Sequence, residues 1–245
     1  MKTLVLAHRG YSGNYPENTM LAFQKAYDAG CDGIELDVQF TSDHEIVIIH
    51  DETINRTSHK KGAVKDFTYE ELSKIDFSYK FDVPFQKIPT LREYLEWVKD
   101  LDIITNIELK TSIERYPGIE EAVYSLLCEY NLKDKVILSS FNHESVLKMK
   151  ELDSTLVCGF LTECWLLKAG EYTASYHIEG YHPRYTALTL RSVAEMKAHN
   201  VRILPWTVNK EKDMIRLMDM GVDALITNYP DKAKKMIEQK KEETL

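Results

Sequence analysis

Residues 33–38 read Gly33-Ile34-Glu35-Leu36-Asp37-Val38, and residues 107–110 read Ile107-Glu108-Leu109-Lys110. Both stretches alternate apolar and charged side chains. A strand turns successive side chains to opposite faces, so Glu35 and Asp37 share one face, as do Glu108 and Lys110. Two more apolar runs end in polar pairs: Leu4-Val5-Leu6-Ala7 meets His8-Arg9, and Ile46-Val47-Ile48-Ile49 meets His50-Asp51. Several strands ending in inward charge describe a pocket above a parallel barrel. The alternative is an exposed strand with its acids in solvent.

Working outward, strand-like and helix-like runs alternate, the pattern of a parallel sheet wrapped in helices. Strands are predicted over 3–7, 33–38, 103–109, 136–140, 156–161, 202–208 and 224–227, with a further strand-like run over 45–49. Asn18-Ala29 reads as a helix with Asn18 as its N-cap and Gly30 as its stop. Pro89-Thr90-Leu91 opens a helix to about Lys99, capped by Thr90. Further helices are expected over 119–131, 143–152 and 190–199, then up to Met220, then from Asp231 onward. The stretch 170–188 is the least legible, although His182-Pro183 suggests a loop at a strand end. At 245 residues the chain has the usual size of one (β/α)8 barrel, about 250 residues. The expected fold is therefore α/β, a TIM barrel forming a single domain over 1–245. Residues 51–88 break the rhythm and far exceed a minimal βα loop. They carry Phe67, Tyr69, Phe77, Tyr79, Phe81 and Phe85. They read as an insertion after the second strand, packed on its own aromatics and roofing the pocket.

Hydrophobic residues make up 44% of the chain and charged residues 29%, an ordinary globular composition. The net charge of −8 and a pI near 5.5 weigh against nucleic acid or an anionic membrane as the main partner. No apolar run reaches roughly 18 residues, so no stable membrane insertion is expected. The apolar run in MKTLVLAHRG is too short for a signal peptide and fits a first strand better. Cys31, Cys128, Cys158 and Cys164 are scattered without CxxC spacing. They read as free thiols of a reducing compartment, so a cytoplasmic location is expected. There is no GxxxxGK[ST], no GxGxxG after a strand, no GxSxG and no HExxH, which leaves nothing pointing to nucleotides, dinucleotides or a serine nucleophile. Oligomeric state cannot be read from these features.

The inward carboxylates carry the chemistry. Buried bare anions are costly, and a hard cation with oxygen ligands would remove that cost. Glu35 and Asp37 from one strand and Glu108 from another make half an octahedron and leave positions for water and phosphate oxygens. They are the expected ligands of one divalent cation, Mg²⁺ or Ca²⁺, with Mn²⁺ also open. Lys110 would neutralise the acids or donate to phosphate. His8 and His50 occupy matching strand-end positions beside acids that favour proton transfer. They could instead ligate the metal, but the carboxylate-rich set points to a hard cation for which imidazole is the poorer ligand, so they are assigned as acid and base. Arg9 presents a fork suited to phosphate, its alternative being a salt bridge to Glu35 or Glu17. Trp206, in Leu204-Pro205-Trp206-Thr207-Val208, either walls the pocket against an apolar or glycerol-like moiety or is plain core. Ser139, Ser140, Phe141 and Asn209 also fall at strand ends.

The segments HRGYSGNYPENT (8–19), ELDVQFTSDHEIVIIHDETINRT (35–57), IELK (107–110), SSF (139–141), WTVN (206–209) and TNYPD (227–231) resemble the glycerophosphodiester phosphodiesterase family, in the family's order and across essentially the whole chain. The resemblance implies a TIM barrel with a small inserted region after the second strand. It also implies metal-dependent hydrolysis of a small-molecule glycerophosphodiester to glycerol 3-phosphate and an alcohol. By position it implies Glu35, Asp37 and Glu108 as metal ligands, His8 and His50 as acid and base, and Arg9 and Lys110 on the phosphate. The nucleophile could be water or the substrate's own glycerol 2-hydroxyl. Two competing readings are a related barrel phospholipase and a catalytically silent phosphate-ester binding protein. The phospholipase would need an exposed apolar or basic membrane-facing rim, for which the sequence offers only the aromatic insertion.

Overall fold

The computed structural model describes residues 3–78 and 80–242. Eight parallel strands form the barrel: β1 (Leu4–His8), β2 (Gly33–Phe40), β4 (Ile104–Leu109), β5 (Val136–Ser140), β6 (Val157–Thr162), β7 (Gly180–Pro183), β8 (Arg202–Ile203) and β9 (Ala224–Thr227). They follow the order β8-β7-β6-β5-β4-β2-β1-β9. Backbone bonds from Val208 N to Ile226 O (2.9 Å), Ile226 N to Pro205 O (3.0 Å) and Asp223 N to Ile203 O (3.0 Å) tie the ends together. The remaining strand, β3 (Ile46–Ile48), runs antiparallel to β2, with Val38 opposite Ile48, and delivers the chain to His50.

Each parallel strand is followed by a helix: α1 (Met20–Asp28), α3 (Leu91–Val98), α4 (Ile119–Glu129), α5 (His143–Leu152), α6 (Ala169–Ser175), α7 (Leu190–Ala198), α8 (Glu211–Met220) and α9 (Pro230–Glu242). A one-turn helix, α2 (Tyr69–Leu72), lies within the insertion. Thr90 caps α3 in a reciprocal capping box with Glu93, as its spacing predicts. The expected cap of α1 needs correcting: Thr19, not Asn18, accepts the Ala22 N–H. Asn18 is in the left-handed region at φ 55° and its amide is drawn inward to Asp37 Oδ2 at 2.9 Å. The donor end of that amide serves a buried carboxylate, while its Oδ1, the atom a cap would use, has no hydrogen-bond partner. The illegible stretch resolves into α6 and β7, with His182-Pro183 at the end of the strand rather than in a loop. The expected strand over 202–208 pairs regularly only at Arg202–Ile203. Pro205 has no N–H to donate, and Leu204 and Trp206 continue the contact through N–H bonds to Tyr181 O and Pro183 O.

Outward-facing residues such as Ile34, Leu36, Ile107, Leu138 and Phe160 pack with Phe23, Tyr94, Leu127, Met149 and Leu217 of the helices into the main core. Inside the barrel, Leu6, Leu204, Ala224 and Ile226 form a separate plug. The 51–88 segment has its own cluster, in which Val47, Ile49, Ile54, Val64, Leu72, Phe77 and Ile88 are buried and Phe67 and Tyr69 pack against it. That cluster is mainly aliphatic. Phe85 is exposed, and Tyr79 lies outside the described residues. No helix among the described residues is long and apolar enough to cross a membrane. The four cysteines are free.

Candidate active site

Strand register builds the site. His8 lies opposite Glu35, Glu35 opposite Asn106, and Asp37 opposite Glu108. The alternating residues between them feed the outer core, so the acids must face the barrel axis at the C-terminal ends of the strands, where such barrels carry their sites. Glu35, Asp37 and Glu108 are all buried and each offers an oxygen within 4.8 Å of the others. Asp37 Oδ1 is buried without a hydrogen-bond partner. Burial, reinforced by Asp37 and Glu108, pushes Glu35 well above the carboxylate range. Burial and Asp37 raise Glu108 to about 7 against the pull of Lys110. Burial alone would raise Asp37 as well, but Arg9, His50, Lys110 and the Asn18 amide hold it well below the usual range. Three converging carboxylates, two of them strained toward protonation and the third with an orphaned oxygen, form a buried acidic triad able to hold a divalent metal ion.

A cavity of about 80 Å³ opens beside the triad, lined by His8, Arg9, Glu35, His50 and Glu108 on one side. Phe141, Leu161, Trp206 and Ile226 line the other, and Trp206 meets Phe141 edge-on at 5.4 Å. No described residue of 51–88 lines this cavity. The described residues of the expected roof instead pack on an aliphatic cluster of their own.

The two histidines are held differently. His8 Nδ1 lies 2.7 Å from Asn228 Oδ1, an acceptor, so Nδ1 carries the proton and Nε2 presents its lone pair. Burial, then Arg9, pulls His8 down to about 3 and keeps it neutral. His50 Nδ1 lies 2.7 Å from Asp51 Oδ1. The bond to His50 and those from Arg56 hold Asp51 far below its usual range despite burial, so a carboxylate faces the His50 ring. Arg56 donates Nε to Asp51 (2.7 Å) and Nη1 to Glu17 (2.6 Å). Glu17 in turn accepts Nη1 of Arg9 at 2.9 Å.

Arg9 is thus committed to carboxylates: its guanidinium meets Glu17 and, at 3.5 Å, Asp37, and its backbone N–H donates to Glu35 at 2.9 Å. It still lines the cavity. Lys110 Nζ donates to Glu108 at 2.9 Å and lies 6.0 Å from the centre of the Phe141 ring, but it is not among the residues that line the cavity. Of the other strand-end residues, Ser139 accepts from Asn106, Ser140 donates to Leu109 O, and Asn209 accepts the N–H of Asn228. Sequence reasoning assigned no role to Asp51, Arg56 or Asn228. The available signals were the His50-Asp51 pair and the position of Asn228 directly after β9.

Residues 8–232 match the family described as the glycerophosphoryl diester phosphodiesterase family. A glycerophosphodiester phosphodiesterase of Caldanaerobacter subterraneus subsp. tengcongensis is 45% identical over 94% of this chain and 96% of its own length. One from Bacillus altitudinis is 43% identical over 98% and 100%. Among solved structures, an Oleispira antarctica phosphodiesterase in complex with the product sn-glycerol-3-phosphate superposes with a TM-score of 0.85 at 28% identity, covering 97% of each chain. The barrel, the strand-end site and these matches over nearly the full length agree: the chain belongs to the glycerophosphoryl diester phosphodiesterase family.

Proposed function

We propose that the protein hydrolyses glycerophosphodiesters to sn-glycerol 3-phosphate and an alcohol, with Glu35, Asp37 and Glu108 holding one divalent cation and His8 and His50 moving protons. The observation that carries this reading is the pair of histidines on one cavity, each fixed through Nδ1 by a different partner. A phosphate-ester binding protein would need no such pair.

His8, neutral with Nε2 free to accept, is the general base that takes the proton of the attacking hydroxyl. Asp51 holds the His50 ring through Nδ1, and His50, on the same cavity, is the general acid that protonates the departing alkoxide. Arg9, on the cavity, and Lys110, bonded to Glu108 beside it, counter the phosphate charge. Trp206 and Phe141 form the apolar wall on which the glycerol carbons rest. When bound, the cation supplies Lewis-acid stabilisation of phosphoryl charge.

Release of sn-glycerol 3-phosphate from glycerophosphocholine and glycerophosphoethanolamine tests the reading, first with metal stripped and then with Mg²⁺, Ca²⁺ or Mn²⁺ restored. Release that depends on added metal is expected, and Glu108→Gln should require more metal for the same rate. A folded protein that releases nothing with any cation would overturn the assignment. Turnover of an analogue lacking the 2-hydroxyl would identify water as the nucleophile, and trapping of a cyclic phosphate would identify the substrate hydroxyl.

A further inference from the structure

Nine large apolar side chains stand exposed among the described residues; four of them, Ile113, Trp165, Leu166 and Leu167, lie between a parallel strand and the next helix, and a fifth, Leu190, is the first residue of α7. They come from or border the β4–α4, β6–α6 and β7–α7 connections, which open at the cavity end of the barrel. The densest group is Trp165-Leu166-Leu167, where Trp165 is 67% and Leu167 90% exposed. Its base is fixed: Thr162 Oγ1 accepts the Cys164 N–H at 3.2 Å, and Leu161 and Glu163 line the cavity itself. The loop therefore rises directly from the cavity wall, continuing the apolar side formed by Phe141, Leu161 and Trp206.

We infer that this rim seats the mouth of the barrel on a zwitterionic lipid–water surface, with Trp165 and Leu167 entering the headgroup region. Three consecutive exposed apolar residues on a connecting loop are costly for a protein that stays in water. Tryptophan and leucine are side chains that settle at the boundary of a bilayer. The tips are separate in the chain and lie at the C-terminal ends of different strands, the end of the barrel that carries the site. A protein partner seated on them would close the cavity, whereas a lipid surface is where substrate arises. A net charge of −8 disfavours an anionic surface, which leaves phosphocholine-type headgroups. This rests on the phosphodiesterase reading in one respect: glycerophosphodiesters are what remains when a phospholipid loses its acyl chains, so the supplying reaction is a deacylation at that same surface.

The test is co-sedimentation with phosphatidylcholine vesicles, comparing the wild type with a Trp165→Ser/Leu167→Ser variant and following glycerophosphocholine hydrolysis in free solution in parallel. The wild type is expected to pellet with vesicles, with its tryptophan emission shifted to the blue. The variant should partition at least about tenfold more weakly, a loss of about 1.4 kcal/mol, while keeping the wild-type melting temperature and its turnover of soluble glycerophosphocholine. A wild type that stays in the supernatant, a variant that pellets equally, or a wild-type dimer dispersed by the double substitution would each overturn the inference. Loss of glycerophosphocholine turnover in the wild type would instead sink the phosphodiesterase reading and leave the vesicle result to stand by itself.

Discussion

The two walls of the barrel interior are chemically unlike. β1, β2 and β4 turn His8, Glu35, Asp37 and Glu108 toward the axis. β5, β6, β7 and β9 present Ser139, Gly159, His182 and Ile226, and nothing there is charged: burial holds His182 down at about 3, and neither of its ring nitrogens has a hydrogen-bond partner. His182 fits by shape. A Cβ on Gly159 would come within 2.4 Å of its Nε2, and one on Gly180 within 3.0 Å. The first wall holds charges that destabilise the fold unless something positive joins them. The second wall is ordinary close packing that happens to include an imidazole. Chemistry and stability are thus divided between neighbouring strands of one sheet, and the division can be tested by substitution on either side.

The largest effect should come from the charged wall. His8→Ala and His50→Ala should each lower kcat by ~10²–10⁴ with little change in melting temperature. Asp51→Asn should lower it by about 10–100-fold, as loss of an orienting carboxylate does elsewhere. Steady-state kinetics on glycerophosphocholine measures all three, and near-normal rates in both alanine variants would move the chemistry off this wall.

The next effect concerns the metal. Glu108, raised from 4.5 to about 7, and Glu35, raised likewise, bind protons in the folded state that the unfolded chain has released. The stabilising contribution of Glu108 is therefore complete below about pH 4.5 and is lost as pH rises through about 7, and that of Glu35 declines in the same direction. A cation substitutes for those protons, so it should raise the melting temperature most above pH 7 and hardly at all near pH 5. At a hundredfold excess over Kd the gain is about 2.7 kcal/mol. A metal-induced shift equal at both pH values would mean that the ion binds outside the triad.

The smallest effect should come from the neutral wall. Gly159→Ala forces a methyl against His182 and should cost about 1–3 kcal/mol, read as a lower melting temperature, with kcat per folded molecule retained. If kcat fell while the melting temperature held, the division between the walls would fail.

The charged wall was also the legible one. Glu35, Asp37 and Glu108 could be placed because strand alternation dictates which face a residue takes, and that rule operates over two or three positions. His8 and His50 followed from where apolar runs stop. The neutral wall was opaque because β7 has only four residues, Gly180–Pro183, and two of them fill the barrel with a glycine and a histidine where a hydrophobic pattern would want aliphatic side chains. The partners of the histidines were hidden for another reason. Asn228 is 220 residues away from His8 in the chain, and no local pattern encodes a contact across barrel closure. Asn18 was misread as a cap because its chemistry suits a helix end equally well. The apolar rim was sought in the 51–88 segment because aromatics concentrate there, yet most of those that the structure describes pack inward or partly so, and the exposed cluster lies at Trp165–Leu167.

Arg56 belongs to the 51–88 segment, yet its guanidinium spans Asp51 and Glu17, and through them it bears on His50 and Arg9. The segment folds around a cluster of its own, so it can open locally at a lower free energy than the barrel. Each such excursion would unhook the strap and leave the His50 ring free to swivel. Warming should therefore silence the enzyme before it unravels: the temperature at which turnover fails would report the melting of a side structure whose described residues stand outside the cavity lining.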